Sequence, residues 1–242
     1  MKLLYLLPGN VEIGLGFPEM ERRRGVLQKY AAAGTEVCID YVRSGPASIE
    51  SEYEELVASV ATIQKIVQAE KDGFDGVIIG CYGDPGLDGA REMVKIPVIG
   101  PGAASAYMAA MLGHRFSIVT VTESIVPALE NLILKNGLDR KLASVRATNV
   151  SVLDINRDPD IAKKRALEEA IAARDQDRAD CIVLGCMSLA FTEANFAMQE
   201  ALGIPVVNPA IASLKLLEAT ITAGLSHSKK AFQTPPKFVK SK

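Results

Sequence analysis

Two cysteines occupy the same point in two matching stretches of this chain. "DGVIIGC" ends on Cys81 and "DCIVLGC" ends on Cys186, and the two align without a gap. Each is an apolar, strand-like run that stops at Gly-Cys and gives way to a segment with helical character. A thiol can give a proton and a thiolate can take one or attack an electrophile, so a facing pair is a candidate acid and base. After Cys81 the chain reads "YGDPGLDGARE", which predicts a helix with Asp84 as N-cap and Pro85 in its first turn. A helix start favours an anion and can bring a thiol pKa from about 8.5 to between ~3.5 and ~7.5. Ser188, Thr192 and Glu193 offer capping groups after Cys186. The plainer use of a strand-end cysteine is as a small apolar side chain in the core. Two in matched turns favour chemistry over packing. Cys38, inside "TEVCIDY", and Cys181, at the start of its strand, lack that setting and read as core.

Other chemistries find little support. No pair of cysteines has the CxxC spacing of a zinc site, and the two histidines are apart, His114 in a turn and His227 in the tail. No metal and no cofactor are therefore expected, and the two thiols are the best acid–base groups. "GLGFPE" from Gly14 lacks the third glycine of a dinucleotide fingerprint. "GPGAASA" from Gly100 lies between a strand and a helix, where it could cradle an anion or serve as a close junction.

These groups need a scaffold, and the 242 residues alternate short apolar strands with amphipathic helices. Strands are predicted over 2–7, 35–41, 76–80, 97–100, 116–121, 181–185 and 205–208. Helices are predicted over 18–33, 48–71, 103–112, 124–135, 159–174 and 210–223. Near-continuous apolar strands between helices imply an α/β fold with parallel sheet covered on both faces. The repeat continues, "IPVIGPGAASA" from Ile96 answering "IPVVNPAIASL" from Ile204. Two such units imply two pseudosymmetric Rossmann-like lobes, each a mostly parallel sheet flanked by helices, with the site in the cleft between them. The expected division is 1–98 plus 209–242 for the first lobe and 99–208 for the second.

At 48% hydrophobic, 23% charged and a net charge of -2, the balance offers no concentrated positive charge for nucleic acid or an anionic membrane. The lysines of the Pro-containing tail (Lys229, Lys230, Lys237, Lys240, Lys242) read as a solvated, partly ordered terminus. The apolar run Leu3 to Leu7 is too short for a secretory leader and reads as a buried first strand. No run approaches the ~20 apolar residues of a membrane span. A small-molecule substrate and a cytoplasmic setting with reduced thiols are expected.

Several stretches together resemble the Asp/Glu racemase superfamily, and within it the hydantoin and allantoin racemases. They are "GPASIESEYEE" from Gly45, "GCYGDPGLDGAREMVKIPVIG" from Gly80, "LGHRFSIVT" from Leu112, "VPALENLILKNGL" from Val126, "ASVRAT" from Ala143, "VLGC" from Val183 and "GLSHSKKAF" from Gly224. The resemblance implies a cofactor-independent isomerase that interconverts enantiomers of a 5-substituted hydantoin or allantoin. It implies Cys81 and Cys186 as the two catalytic groups, one taking the C5 proton and the other returning one to the opposite face. It further implies substrate contacts from Asn10, Tyr82, Gly83, Thr120, Thr122, Met187 and Ser188, with strand filling as the other use of the two threonines. A homo-oligomer is implied too. The chain departs from the family's first loop, usually Asn-Pro-Asn-Thr, by carrying "LPGNVEIGLGF" from Leu7, and from its Asp-Gly after the last strand by Asn208-Pro209. If both line the cleft, the substrate differs from the usual one. Aspartate or glutamate racemisation and maleate cis–trans isomerisation are the alternatives within the superfamily. A non-catalytic two-lobed binding protein is the alternative outside it.

Overall fold

A computed structural model describes residues 1–238; the last four residues of the expected first lobe, Lys240 and Lys242 among them, lie outside the described residues. The elements run β1 (Lys2–Leu7), α1 (Phe17–Tyr30), β2 (Glu36–Tyr41), α2 (Glu52–Lys71), β3 (Gly76–Ile79), α3 (Leu87–Met93), β4 (Val98–Ile99) and α4 (Pro101–Leu112). They continue with β5 (Phe116–Thr120), α5 (Val126–Lys135), β6 (Leu142–Ala147), α6 (Val152–Arg157) and α7 (Pro159–Asp175). The chain then forms β7 (Cys181–Leu184), α8 (Met187–Ala190), α9 (Asn195–Leu202), β8 (Val206–Val207) and α10 (Pro209–Thr222).

The strands form two four-stranded parallel sheets of identical topology, β2-β1-β3-β4 and β6-β5-β7-β8. β3 and β7, the repeated apolar runs, are fully buried because helices cover both faces of each sheet. Each ends at a glycine whose N–H reaches the neighbouring strand at 2.7 Å, Gly80 to the Leu6 carbonyl and Gly185 to the Val119 carbonyl. A Cβ at Gly80 would stand 2.8 Å from the Leu6 carbonyl oxygen, and one at Gly185 only 2.4 Å from Ile118. Glycine lets the strands stay close there, and each cysteine follows directly at the strand's carboxyl end.

One apolar cluster fills each face of the first sheet, and a larger one fills the second half. The cluster under α1 includes Met187, Ala190 and Phe191 from the second half, so the two halves share a core. After β8, α10 returns to pack against β3, β4 and α4.

The predicted strands agree with the observed ones to within one or two residues at each end, but β6 was not predicted. It is a half-exposed edge strand, and its Arg146 is paired with Asp177 and Glu169. The short helix α6 was likewise not predicted, whereas helices do follow both Gly-Cys turns as expected: α3, which starts at Leu87 rather than at Pro85, and α8. The tail also differs from the reading of it as solvated. Lys229 donates to the Arg91 and Glu92 carbonyls at the end of α3, at 2.6 and 2.9 Å. His227 Nε2 accepts the Val98 N–H at 2.8 Å. Among the described residues, no helix is long and apolar enough to cross a membrane.

His227 makes the tail's attachment dependent on pH. Burial pushes its pKa from 6.5 down to about 4, because desolvation disfavours the charged ring and Arg91 adds repulsion. The folded value lies below the unfolded one, so this stabilisation is complete above pH 6.5 and is lost as pH falls through 4. An NMR titration is expected to give a His227 midpoint near 4, with Val98 amide exchange rising below it; a midpoint near 6.5 refutes the attachment.

Candidate active site

Cys81 and Cys186 line one cavity of about 730 Å³, its open mouth included, set between the carboxyl ends of the two sheets. Leu7 at the end of β1 and Pro8, Asn10 and Val11 in the loop after it line the cavity, with Ala47, Ser48 and Ile49 from the loop after β2. These two loops touch backbone to backbone. A Cβ at Gly45 would stand 2.3 Å from the Pro8 carbonyl oxygen, and one at Gly14 would stand 2.2 Å from that of Ala47. Gly14 therefore serves loop packing. The loop after β2 also reaches the second half, where Glu50 Oε1 accepts the Val152 N–H at 2.7 Å. Val121, Ile125, Leu129 and Val152 form an apolar wall opposite.

The two thiols have different surroundings. Cys186 is the buried N-cap residue of α8, and the N–H groups of Ser188 and Leu189 favour its thiolate. Arg23, also in the cavity lining, adds positive charge. Cys81 is half-buried, with Glu55 and Asp84 opposing its ionisation and only the Gly83 N–H favouring it. Burial is the largest influence on both and pushes each pKa up, which reverses the expectation of depressed values.

Part of the reversal comes from Asp84. It is not the N-cap of the helix after Cys81: that helix starts at Leu87 behind Gly86, and Asp84 has a positive φ of 57°. Its carboxylate instead accepts the N–H groups of Gly102 and Ala103, at 2.9 and 2.8 Å, and so caps α4. A Cβ at Gly100 would stand 2.3 Å from the Asp84 carboxyl carbon. The "GPGAASA" turn is thus a close junction whose helix start is already filled by a carboxylate. In the other half Asn208 caps α10 with its own side chain, accepting from Ala210 and Ile211 at 3.0 and 3.4 Å. Asn208 and Pro209 are buried and lie outside the cavity lining, unlike the first loop.

Of the other expected residues, Asn10, Tyr82, Gly83, Thr120, Met187 and Ser188 line the cavity with the cysteines. Thr122 does not; its hydroxyl bonds Ser124 at 2.9 Å. Thr120 is wholly buried and donates to the Gly185 carbonyl at 3.1 Å, so it braces the Cys186 turn. Asn10 holds its own loop, donating to the Arg43 carbonyl and accepting from Glu12. Thr192 and Glu193 are no caps for Cys186: Thr192 donates to the Leu189 carbonyl, and Glu193 pairs with Lys29 and Tyr30.

The sequence reading passed over Arg23 and Glu55. Arg23 sits in "MERRRG", which looks like a solvated run, yet it is 2% exposed. Its Nη2 donates to Ser188 Oγ at 2.7 Å, and its Nε donates to Glu19 at 2.9 Å. Among the described residues no group of three or more His, Cys, Asp or Glu is arranged to hold a metal.

Comparison with known proteins accords with this geometry. The Asp/Glu/Hydantoin racemase family model matches residues 23–217. The chain belongs to that family. It is 36% identical over 208 residues to the hydantoin racemase of Pseudomonas sp. (strain NS671), covering 86% of this chain and 83% of that one. The allantoin racemase structure from Klebsiella pneumoniae superposes with a TM-score of 0.89 at 29% identity, over 100% of this chain and 96% of that one. That of Pseudomonas fluorescens gives 0.89 at 30%, over 98% and 97%. The family makes the protein a racemase, and so an isomerase.

Asp84 provides a test of how the Cys81 turn is held. Burial raises its carboxyl pKa to about 7 against the pull of the two N–H groups and Arg91. Asp84→Ala leaves those N–H groups buried without an acceptor, at an expected cost of about 2–3 kcal/mol by urea unfolding. Asp84→Asn keeps an acceptor and is expected to lose less; equal losses would mean that the cap contributes nothing.

Proposed function

We propose that the protein is a cofactor-independent racemase of a 5-substituted hydantoin or of allantoin, with Cys81 and Cys186 as its two catalytic groups. The observation that carries this reading is that two thiols from matched strand ends line one cavity with an apolar wall. One thiolate takes the C5 hydrogen as a proton, and the opposite thiol gives its own proton to the other face of the ring. Product and substrate are mirror images, which suits a site built from two like halves. Asn10, Gly83 and Ser188 are the polar groups assigned to the ring's amide and carbonyl groups, while Tyr82, Met187 and Thr120 shape the walls.

Acidic substrates fit less well. Arg23 is the single cationic side chain of the lining, and Glu19 already pairs with it. An aspartate, glutamate or maleate dianion would meet no second positive group among these residues. The lobes are assigned as 1–98 with 209–242 and as 99–208, and the setting as cytoplasmic, where the thiols stay reduced. A homo-oligomer belongs to the same proposal: Tyr53, Leu56, Val57 and Val60 form an exposed apolar stripe along α2. Sedimentation velocity is expected to give a mass above 25.9 kDa; a monomer at that mass refutes this part.

The activity is tested with single enantiomers of 5-benzylhydantoin and of allantoin in D₂O, following optical rotation and C5 deuterium together. Rotation is expected to decay with deuterium uptake, and Cys81→Ser and Cys186→Ser are each expected to lose roughly 10²–10⁴-fold. Neither decay nor exchange with both substrates would overturn the substrate assignment and bring forward aspartate, glutamate and maleate. Racemisation that survives either substitution would overturn the two-thiol mechanism.

A further inference from the structure

Two-base racemisation needs one thiol and one thiolate at the outset, and a symmetric cavity would not choose between them. This cavity is not symmetric. Arg23 is buried within it, joined to Ser188, two residues beyond Cys186. Glu19 lies between two guanidinium groups, those of Arg22 and Arg23, so two cations against one carboxylate leave one net positive charge. Arg23 Nη2 also donates to Asn156 Oδ1 at 3.3 Å, the Tyr5 hydroxyl lies beside the guanidinium, and Phe191 covers it with its ring at 5.0 Å. At the other end Glu55 lines the cavity beside Gly83, two residues beyond Cys81. A Cβ at Gly83 would stand 2.4 Å from Glu55 Oε2. The Glu55 carboxylate has no ion-pair or hydrogen-bond partner among the described residues.

We propose that Arg23 and Glu55 are positioning residues that break the pseudosymmetry of the site, so that the resting enzyme holds Cys186 as the base and Cys81 as the acid. This rests on the two-thiol reading above. In the forward step the C5–H bond breaks toward the Cys186 sulfur and the Cys81 proton passes to C5, leaving Cys186 as thiol and Cys81 as thiolate. One proton exchanged between the two thiols through water restores the start, and nothing is oxidised or reduced. The remaining charged or titratable groups facing the pair alter the picture little. Glu50 opposes ionisation of Cys186, Asp84 opposes that of Cys81, and the Tyr5 hydroxyl faces both from β1. Burial raises the Glu55 carboxyl to about 7, so its opposition to Cys81 grows above neutrality.

The ratio kcat/KM would miss this asymmetry. The enantiomers have equal free energy, so kcat/KM is the same in both directions wherever the charges lie. The free thiols report it instead. The folded, full-length protein is alkylated with iodoacetamide at successive pH values from 6 to 11, each cysteine peptide is followed by mass spectrometry, and a midpoint not reached by pH 11 is scored as lying above it. The Cys186 midpoint is expected about one pH unit or more below that of Cys81. Arg23→Met is expected to narrow the gap by raising the Cys186 midpoint, with Arg23→Lys restoring part of it. Glu55→Gln is expected to lower the Cys81 midpoint alone, and it keeps the proposal testable if Arg23→Met does not fold. Coincident midpoints in the wild type, or a lower one for Cys81, overturn the proposal. So do midpoints that neither substitution moves. None of these readouts needs a substrate, so a failed hydantoin assignment and a failed asymmetry remain distinguishable.

Discussion

A thiol removed from water resists losing its proton, and this structure removes two of them into one cavity. Desolvation acts on both, and the first negative charge to form would oppose a second. A thiolate on one sulfur therefore disfavours a second on the other, and much of the surrounding structure bears on where the first one forms. Short strands end in glycines that let backbones pack closely, so both cysteines emerge into the cavity between the carboxyl ends of the two sheets. The N–H groups at the start of α8 stabilise charge on one sulfur, and a carboxylate beside the other discourages it. Apolar walls strengthen each of these effects by keeping the local dielectric low.

The two halves share one topology but not one set of polar contacts. Both need the first helix after their last strand to be capped, because buried N–H groups left without acceptors are costly. In the second half Asn208 does this within its own segment. In the first, the equivalent position is Gly100, and the acceptor comes from Asp84 in the turn after Cys81. The cap thereby binds the Cys81 turn to α4 and places another carboxyl near that thiol. A scaffold repeated in backbone thus carries different charges at its two strand ends.

What could be read from the sequence follows the range of each interaction. The β3 and β7 runs and their Gly-Cys ends were legible because backbone pairing and burial impose an apolar pattern residue by residue. Asp84 was misread because Asp-Pro ahead of a helical stretch resembles a local cap, while its true partners lie 18 and 19 residues away. Arg23 was missed for a similar reason: three successive arginines look solvated, and only the packing of α1 on Phe191 and Ser188 buries one of them. Thr122 shares strand-end spacing with Thr120, yet the chain turns between them and sends its hydroxyl to Ser124.

The thiols and the roof of their cavity are built by different parts of the chain. The thiols stand on strand ends fixed by sheet register, so their positions tolerate little change in the surrounding sequence. The cavity roof is made by the loops after β1 and β2, which lock to each other through close backbone contact at Gly14 and Gly45. Glu50 fastens this roof to the second half through the Val152 N–H, and Ser124 donates to the Glu50 carbonyl at 2.8 Å. The altered first loop lies in that roof, whereas Asn208-Pro209 is buried behind it. A change of substrate can therefore arise in the loops after β1 and β2 without disturbing the two Gly-Cys turns. The departures from the family pattern around Leu7 to Gly16 lie in this roof, while the paired thiols stand on strand ends that the roof does not build.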